Sequence, residues 1–558
     1  MFPLGNWRIA VPFLTHRIQN GGSHARQPKL RLAVAGLCLA FFLQGLLASR
    51  IKSPTFDETT HIVSGATYIA TGHIVANPEH PPLLKELAGL SLALAGIRWQ
   101  DKATPQELEG RPAGWEKIAG VAFVAGAGVG RTLFWARLPL LLLSPLLGLL
   151  IYCWGRELAD ARAGLCALFL FAADPTMVAH SYLVTTDVGV ATFSLLFLLA
   201  LFRYLRKPGA GRLVIAGAAL GLALCAKFSA IFLGPIAAVL LLAAFLRPPS
   251  PEDTTRPTGT GASMVSAALA LAAMSLVALL VIQIVYLSPR GPFLYRYGLS
   301  RVYANSDPNF LAYLGGHLKH RFASYFAVAW LVKEPLATIL LALGGTFLVL
   351  RSRVLDPLSK LFLFLPPAVF FVACTFWASD IGFRYVIPAL PFGYLAGGIA
   401  LAALLKGRAL HRAVAAAACV WVVLAAAGIY PDHLSYFNEA ACLPDHPARI
   451  GLDGGSRCGP EWLADSNVDW GGSLPQLKTW LDRNASERPV RLAYFGKFPP
   501  EAYGIRYEAV SPIILRLPSR GRYVISAHIL TTPDGIDWLS DEPLAVVGHA
   551  YYIYDIDF

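Results

Sequence analysis

Long apolar runs recur along the first 430 positions, and they constrain the fold of this chain more than any other feature. A run of about 18 or more apolar residues can cross roughly 30 Å of hydrocarbon as a helix. Only 15% of the residues are charged, against roughly 25% in soluble domains. We therefore predict a polytopic α-helical membrane protein with about eleven spans, near residues 32–49, 131–152, 158–174, 187–204, 211–227, 230–247, 263–287, 325–350, 359–378, 386–405 and 413–430.

Basic residues occupy alternate loops between these runs, and positive charge gathers in cytoplasmic loops. The net charge of +12 is therefore not a sign of nucleic-acid binding, and we predict no nucleic-acid partner. We expect a multi-pass protein of the plasma (inner) membrane, in contact with its lipids, with a cytoplasmic N-terminus. The residues that define the cytoplasmic side are Arg26, Lys29, Arg31, Arg156, Arg162, Arg203, Arg206, Lys207, Arg212, Arg351, Arg353, Lys360, Lys406, Arg408 and Arg412.

The last part of the chain, residues 431–558, is far less apolar than residues 1–430. Its pattern predicts a helix near 473–483, an apolar segment at 490–495 and strands near 522–528 and 543–554. We predict a small α/β domain on the extracytoplasmic side. Cys442 and Cys458 lie in it, where an oxidising compartment permits a disulfide, although two unpaired thiols are the alternative.

Ionisable residues gather at the outer ends of the predicted spans, including the first outer loop at about 50–130. An ionisable residue in or beside a span is a functional candidate. Each also has an ordinary explanation: acids can cap a helix, and long basic side chains can reach the lipid headgroups. These explanations do not account for acids and bases sharing one face. The residues are Asp57, Glu58, His61, Glu79, His80, Lys85, Glu86, His180, Asp187, Lys227, Asp380 and Arg384.

Several stretches that carry these residues form an ordered set: "FDETTH", "PEHPPLLK", "VTTDVGV", "SYFAVAWLVKEPLATILL", "GFRYVIPALP" and "YFNEAA…ADSNVDWGGSLPQLKTWL". The set resembles the GT-C membrane glycosyltransferases, specifically the protein O-mannosyltransferase and lipid A aminoarabinose-transferase group, over nearly the whole chain. The resemblance implies a GT-C-like transmembrane catalytic domain at 1–430. It also implies a polyprenyl-phosphate-sugar donor, and a protein, lipid or glycan acceptor.

Transfer from such a donor needs cations for the leaving phosphate and a base for the attacking hydroxyl. Arginine contacts phosphate bidentately and lysine acts as a point charge, so Lys227, Arg384 and Lys85 are predicted phosphate ligands. A carboxylate within reach of the hydroxyl can take its proton, and Asp57 is the predicted base. Attack opposite the phosphate would invert the anomeric centre.

Three further residues complete the predicted site. Glu58 is the second predicted catalytic acid, and Asp187 and His80 are predicted to contact substrate. Asp187 and His80 are also the candidate ligands of a divalent metal, for which the sequence contains no compact motif.

A multi-pass transporter of a lipid-linked or anionic substrate is the main alternative. Transporters place ionisable residues near the bilayer midplane and often contain internal repeats. Here the ionisable residues lie at span ends, and we find no repeat. An unrelated oligosaccharide ligase or polymerase and a non-catalytic scaffold are further alternatives.

Overall fold

The computed structural model describes residues 26–247, 260–304, 309–510, 515–516, 518–531 and 542–557. Its first α-helices are α1 (Arg26–Ile51), α2 (Glu58–Thr71), α3 (Leu83–Leu94), α4 (Pro105–Glu109), α5 (Trp115–Gly126), α6 (Val129–Leu158), α7 (Ala161–Ala172), α8 (Pro175–His180), α9 (Asp187–Arg206) and α10 (Ala210–Ala226). The later ones are α11 (Leu233–Phe245), α12 (Thr260–Val285), α13 (Gly291–Ala304), α14 (Tyr325–Lys333), α15 (Leu336–Arg351), α16 (Pro357–Trp377), α17 (Leu390–Leu405), α18 (Ala409–Gly428), α19 (Gly459–Trp462) and α20 (Leu474–Arg483).

Eight helices among the described residues are long and apolar enough to cross a membrane, and a bent pair would make nine. Two shorter apolar helices, α7 and α10, fall where the sequence predicts two further spans. The predicted class, a polytopic helical membrane protein, is confirmed, while the number of eleven spans stays a prediction. The eight are Pro28–Ile51, Val129–Leu158, Asp187–Arg206, Phe228–Phe245, Thr260–Val285, Pro357–Trp377, Phe383–Leu405 and Ala409–Gly428.

The bent pair is α14 and α15, whose axes differ by 114°. The break falls at Glu334 and Pro335, and proline cannot donate a helical hydrogen bond. Lys333, at the end of α14, donates instead to the backbone carbonyls of Leu434 and Asn467, at 2.7 and 2.8 Å. The break therefore exposes the end of α14 to hydrogen bonds with the chain segment that follows α18.

The connection between α1 and α6 contains four helices, and α2 packs closely on α3. At their crossing, a Cβ atom added to Gly65 would lie 1.9 Å from the carbonyl oxygen of Lys85. Only glycine permits this approach of the two backbones. The first outer loop is thus a packed layer that fixes the position of α2 and of the residues at its start.

The C-terminal region contains a five-stranded sheet, to which the strands predicted near 522–528 and 543–554 belong. Its strands are β3 (Val490–Ala493), β4 (Glu508–Ala509), β5 (Gly521–Ser526), β6 (Ala545–Val547) and β7 (Tyr551–Ile556), and a separate hairpin pairs β1 (Ala312–Leu314) with β2 (His317–Lys319). The order is β4-β3-β5-β7-β6, with β3 parallel to β4 and β5, and β7 antiparallel to β5 and β6. Cys442 and Cys458 form a disulfide.

The C-terminal region is hydrogen-bonded to the start of the first loop. The backbone amide of Ser53 donates to Gly472 at 3.0 Å, and that of Phe56 donates to Trp470 at 2.9 Å. On another side, the amide of Asn438 donates to Val332 in α14 at 2.8 Å. These bonds hold the residues before α2 against the C-terminal region, although the boundary at residue 430 remains a prediction.

Candidate active site

Asp57 lies at the N-cap position of α2, but its side chain makes no capping hydrogen bond. Its Oδ2 atom instead accepts from Nη1 of Arg384 at 3.3 Å, and 26% of the side chain is exposed. The helix-capping explanation for Asp57 therefore fails, since the carboxylate faces a cation brought from 327 residues away. The exposed fraction leaves room for another molecule to reach it.

Arg384 stands in the 3₁₀ turn Phe383–Ala389, which begins the span that continues into α17. Its guanidinium lies over the ring of Trp470, with 4.3 Å between Cζ and the ring centroid. Its Nε atom is buried and has no hydrogen-bond partner among the described residues. The Nε–H group of Arg384 is thus available to another acceptor while Nη1 contacts Asp57.

A second ion pair lies beside the first. Asp187 is the first residue of α9 and is fully buried, and its Oδ1 atom accepts from Lys227 Nζ at 2.6 Å. Both cations lie over the ring of Tyr385. The Lys227 ammonium is 4.6 Å from the ring centroid, and the Arg384 guanidinium is 5.4 Å from it. We call Asp57, Asp187, Lys227, Tyr385 and Arg384 the junction site. Four of these five residues were predicted from the sequence.

His80 lies near the junction site and packs on His61, with 4.9 Å between the ring centroids. Burial, and then the surrounding positive charges, hold the pKa of His80 well below its usual value. The His61 ring is bonded to the carbonyl oxygen of Val184 at 2.8 Å, and burial also lowers its pKa. Both rings are therefore neutral near pH 7.

Asp187 and His80 are the predicted ligands of a divalent metal, and a protein metal site usually needs at least three ligating side chains. Across the described ranges, no three His, Cys, Asp or Glu side chains are placed to hold an ion together. Asp187 also faces the ammonium of Lys227, which competes with a cation for the same oxygen. The donor set does not fit a metal, so we assign no step to one.

Lys85 is fully buried and does not face the junction site. Its ammonium donates to the Tyr68 hydroxyl, to the backbone and side-chain oxygens of Asn77, and to the carbonyl of His80, at 2.8–3.2 Å. Burial lowers the pKa of Lys85 to about 7. The predicted direct contact between Lys85 and a phosphate does not agree with this position. Lys85 instead holds the loop that carries His80.

Glu58 also differs from its predicted role. Its side chain is fully buried, and Arg137 from α6 donates to both oxygens, at 2.9 and 2.7 Å. Burial raises the pKa of Glu58, but the charge and hydrogen bonds of Arg137 outweigh it, and the net pKa is lowered. A carboxylate so occupied cannot take a proton from a substrate. Glu58 positions the start of α2, and with it Asp57.

The C-terminal residues that border the junction site were not among the predicted site residues. Trp470 lies under Arg384, and Asp465 is close enough for the charges of Arg384 and Asp57 to act on it. Both belong to the "ADSNVDWGG" stretch, which was quoted for its resemblance alone. The sequence signal that could have pointed to them is a tryptophan between two aspartates and two glycines, "DSNVDWGG".

Aromatic rings and a lysine lie beside Asp57. Phe56 stacks on Phe495 with 5.4 Å between centroids, and Phe495 lies 4.0 Å from the His528 ring. The Lys497 ammonium is 3.7 Å from the centroid of Phe56. These rings connect the first loop to the C-terminal region beside the carboxylate of Asp57.

The junction site combines a partly exposed carboxylate with two cations where three regions of the chain meet. Arginine and lysine are the usual partners of phosphate oxygens. A carboxylate beside them can accept a proton from a hydroxyl brought to the same place. The arrangement can therefore hold a phosphate ester and activate a nucleophile next to it.

Comparison with known proteins gives one family. The family model described as dolichyl-phosphate-mannose-protein mannosyltransferase matches residues 125–282, a range that includes Asp187 and Lys227. Over that range the match confirms the resemblance to the protein O-mannosyltransferase group. No curated protein matches the chain significantly.

Three solved structures are similar to the chain at low identity. ArnT from Cupriavidus metallidurans bound to undecaprenyl phosphate is 14% identical, covering 94% of this chain and 97% of its own, with a TM-score of 0.48. AglB from Archaeoglobus fulgidus, in complex with an inhibitory peptide and a dolichol-phosphate, is 13% identical, with 90% of this chain and 70% of the AglB chain covered and a TM-score of 0.45. The S. cerevisiae Pmt1-Pmt2 complex bound to the sugar donor is 18% identical, with 49% of this chain and 34% of the matched chain covered and a TM-score of 0.33.

Proposed function

We propose that this chain is a membrane glycosyltransferase that moves a sugar from a polyprenyl-phosphate carrier to an acceptor hydroxyl. The observation that carries the proposal is the pairing of Asp57 with Arg384 beside the pairing of Asp187 with Lys227, at the ends of apolar spans. The matching family model, named for a dolichyl-phosphate-linked donor, supports this class of carrier.

In the proposed reaction the acceptor oxygen attacks the anomeric carbon from the side opposite the phosphate. Its proton passes to Asp57 as the new carbon–oxygen bond forms. The bond between the anomeric carbon and the phosphate oxygen breaks, and its electron pair stays on the phosphate. Arg384 and Lys227 stabilise the charge that develops there. The anomeric centre is inverted.

The ion pair between Asp57 and Arg384 has a role in this order of events. Without ligand, the Arg384 guanidinium donates a hydrogen bond to the Asp57 carboxylate. A bound phosphate competes for the guanidinium, which frees the Asp57 carboxylate to accept a hydrogen bond from the acceptor hydroxyl when the donor is in place. The site would then activate an acceptor only after it holds a donor.

The same proposal places the reaction on the extracytoplasmic side of the plasma (inner) membrane. The alternation of basic loops supports this orientation, with a cytoplasmic N-terminus. The prediction is checked by fusing a compartment-dependent reporter after Phe558. A reporter active only in the cytoplasm would reverse the assignment.

Carrier binding tests the assignment of the phosphate site. The purified chain should bind undecaprenyl monophosphate, and Arg384→Ala should weaken binding about 10- to 150-fold, the value of a charge-assisted contact. Arg412→Ala is the matched control, because Arg412 is exposed in the first turn of α18, at the end assigned to the opposite side. If Arg384→Ala binds as tightly as the parent, the phosphate site lies elsewhere.

Mass spectrometry of glycolipids and glycoproteins from cells with and without the gene tests the proposal as a whole. We expect one class of product to lose a sugar when the gene is absent. A transporter could also alter glycans in cells, so the chain purified in detergent must then convert the identified donor and acceptor. Detergent leaves no compartments, and a transporter would give no product there.

A further inference from the structure

The segment 465–470, in the C-terminal region, contacts the turn that carries Arg384. The side-chain oxygen of Asn467 accepts from the backbone amide of Phe383 at 2.8 Å. The Ser466 hydroxyl donates to the carbonyl of Ile381 at 2.9 Å. A Cβ atom added to Gly382 would lie 2.4 Å from the Ser466 hydroxyl oxygen, so the Ser466 side chain lies directly against the backbone of Gly382. The segment therefore fixes the residues on both sides of Gly382.

Trp470 connects Arg384 to the residue before Asp57. Its ring, almost fully buried, lies 4.3 Å from the Arg384 guanidinium, and its backbone carbonyl accepts from the amide of Phe56 at 2.9 Å. An arginine held over a tryptophan face is attracted by the negative surface of the ring, and this attraction offsets the cost of fixing the side chain in one position. One residue thus sets the distance between the predicted base and the predicted phosphate ligand.

Asp465 adds a third acid to the surroundings of Arg384. Its backbone lies in the left-handed region at φ 55°, which is uncommon for a residue other than glycine. Its amide donates to His528 Nδ1 at 3.0 Å, and its Oδ1 atom accepts from the amide of Ser466 at 2.6 Å. This turn leads into Ser466, whose side chain lies against the backbone of Gly382, two residues before Arg384. The charges of Arg384 and Asp57 act on the Asp465 carboxylate.

We propose that the 465–470 segment completes the carrier-phosphate site: Asn467 and Trp470 position Arg384, and Asp465 competes with the phosphate for its charge. The inference rests on the proposed function, because it assigns the phosphate to Arg384. Asn467 and Trp470 are positioning residues that act through the guanidinium. Asp465 makes the site selective for an anion strong enough to replace a carboxylate.

The burial of Asp465 supports this competition. Burial raises the pKa of Asp465 to about 6, Arg384 opposes the rise and Asp57 adds to it. His528 also contacts Asp465, and burial lowers the pKa of His528 to about 4, so its ring is neutral at pH 5–8. The charge of Asp465 also acts on Tyr325, Tyr385 and Asp469, and burial, to which the charge of Asp465 adds, raises the pKa of Asp469 to about 6. Asp465 is thus mostly neutral at pH 5 and mostly ionised at pH 8.

Binding of undecaprenyl monophosphate to the purified full chain tests the positioning role. Asn467→Ala should weaken binding by about tenfold, because the Phe383 amide loses its acceptor and the turn relaxes. The same change in an Arg384→Ala background should have almost no further effect, since Asn467 acts through Arg384. Trp470→Phe keeps a ring face and should stay within about threefold of the parent, whereas Trp470→Leu should weaken binding by about fivefold.

Equal effects of Asn467→Ala in the parent and in the Arg384→Ala background would overturn the positioning role. The unfolding midpoint of each variant is measured in the same detergent. If Asn467→Ala does not fold, Trp470→Leu in the two backgrounds gives the same comparison. An additive result there would overturn the role equally.

The competition is tested with Asp465→Asn, which keeps the shape and removes the charge. At pH 8 this variant should bind undecaprenyl monophosphate about threefold more tightly than the parent, and at pH 5 the two should bind alike. The ratio of variant to parent at each pH removes the titration of the phosphate itself. Asp482→Asn, which changes an exposed acid of α20, is the matched control. Weaker binding, or the same ratio at both pH values, would overturn the competition.

The outcomes separate this inference from the proposed function. If Arg384→Ala leaves carrier binding unchanged, the proposed phosphate site is wrong and the inference with it. If Arg384→Ala weakens binding while Asn467→Ala, Trp470→Leu and Asp465→Asn do not, only the role of the 465–470 segment is wrong.

Discussion

Two ion pairs begin at consecutive residues and differ in nearly every physical respect. Asp57 makes one contact of 3.3 Å with Arg384 and is 26% exposed, whereas Glu58 is fully buried against Arg137. Asp57 is the N-cap residue and Glu58 the first residue of the same helix, and both are carboxylic acids. The difference teaches that a pair left open to solvent can exchange partners, while a sealed pair can only hold the structure together.

The sealed pair is complete in its hydrogen bonds. Glu58 accepts from the amide of Thr55 at 2.9 Å, from the Thr55 hydroxyl at 3.2 Å and from the amide of Val184 at 3.1 Å, besides both bonds from Arg137. A buried charge is tolerated when its oxygens are satisfied in this way. The pair thus links α2, α6 and the turn before α9 through hydrogen bonds, and these bonds fix the position of Asp57.

Replacing Asp57 by asparagine should give the largest effect. Asparagine keeps the shape but cannot take a proton, so the rate of sugar transfer should fall by on the order of 10²–10⁴-fold. Carrier binding should survive, because the phosphate is assigned to Arg384 and Lys227. The measurement is turnover by the purified protein, with undecaprenyl monophosphate binding in parallel.

The capping explanation predicts the opposite for this variant, since asparagine caps a helix about as well as aspartate. Turnover within about threefold of the parent would return Asp57 to a structural role, given the usual size of a base contribution. Glu58→Gln provides the internal comparison. Any loss of its turnover should follow its loss of stability.

Breaking the sealed pair should affect folding more than chemistry. Arg137→Met leaves Glu58 buried without its cation, which should destabilise the protein by about 3–5 kcal/mol. The unfolding midpoint in detergent measures this. Restoring the charge balance with Arg137→Met and Glu58→Gln together should recover part of the loss. A midpoint unchanged in the single variant would mean that water reaches Glu58.

His549 is a further charged group, outside both pairs, and it predicts how the stability of the protein depends on pH. Its ring bonds Asp432 at 2.9 Å and Asp453 at 3.1 Å. Burial lowers the pKa of His549, but these hydrogen bonds outweigh it and raise the pKa to about 9. A raised pKa stabilises the folded state fully below about pH 6.5, the unfolded value, and this contribution is lost as pH rises through 9.

The expected size of this effect is about 3 kcal/mol, the free-energy equivalent of the pKa difference. As the pH is raised from 6.5 to 10, the unfolding midpoint of the parent should therefore decrease more than the unfolding midpoint of His549→Gln does. The difference between the two proteins removes the contributions of other groups. Parallel pH curves would show that His549 gains no stabilising charge on folding.

The transmembrane architecture could be predicted because hydropathy is a local property of the sequence. Each predicted run corresponds to an apolar helix, including the two shorter helices α7 and α10. The strands near 522–528 and 543–554 were also found, as β5, β6 and β7. These features depend on neighbouring residues, so a window of the sequence contains the information.

The junction site could be predicted only in part. Membrane depth brings Asp57, Asp187, Lys227 and Arg384 together, and depth follows from the spans. Which of two adjacent acids faces the site depends on Arg137, a cation inside an apolar run that the hydropathy pattern gave no reason to pair with Glu58.

Two further features required the tertiary structure. The burial of Lys85 follows from the close crossing of α2 and α3. The contribution of Trp470 follows from contacts between residues hundreds of positions apart. Neither leaves a periodic pattern that a reading of local sequence can detect.

The hydrogen bonds between the start of the first loop and the C-terminal region have a consequence for synthesis. Ser53 donates from its hydroxyl to Gly471 at 2.9 Å, across 418 positions of the chain. A ribosome that has inserted every apolar helix has still not supplied Trp470, the ring on which Arg384 rests. The junction site therefore stays incomplete while the apolar helices enter the membrane. Under the proposed function, sugar transfer begins only when the last portion of the chain has folded back onto the first loop.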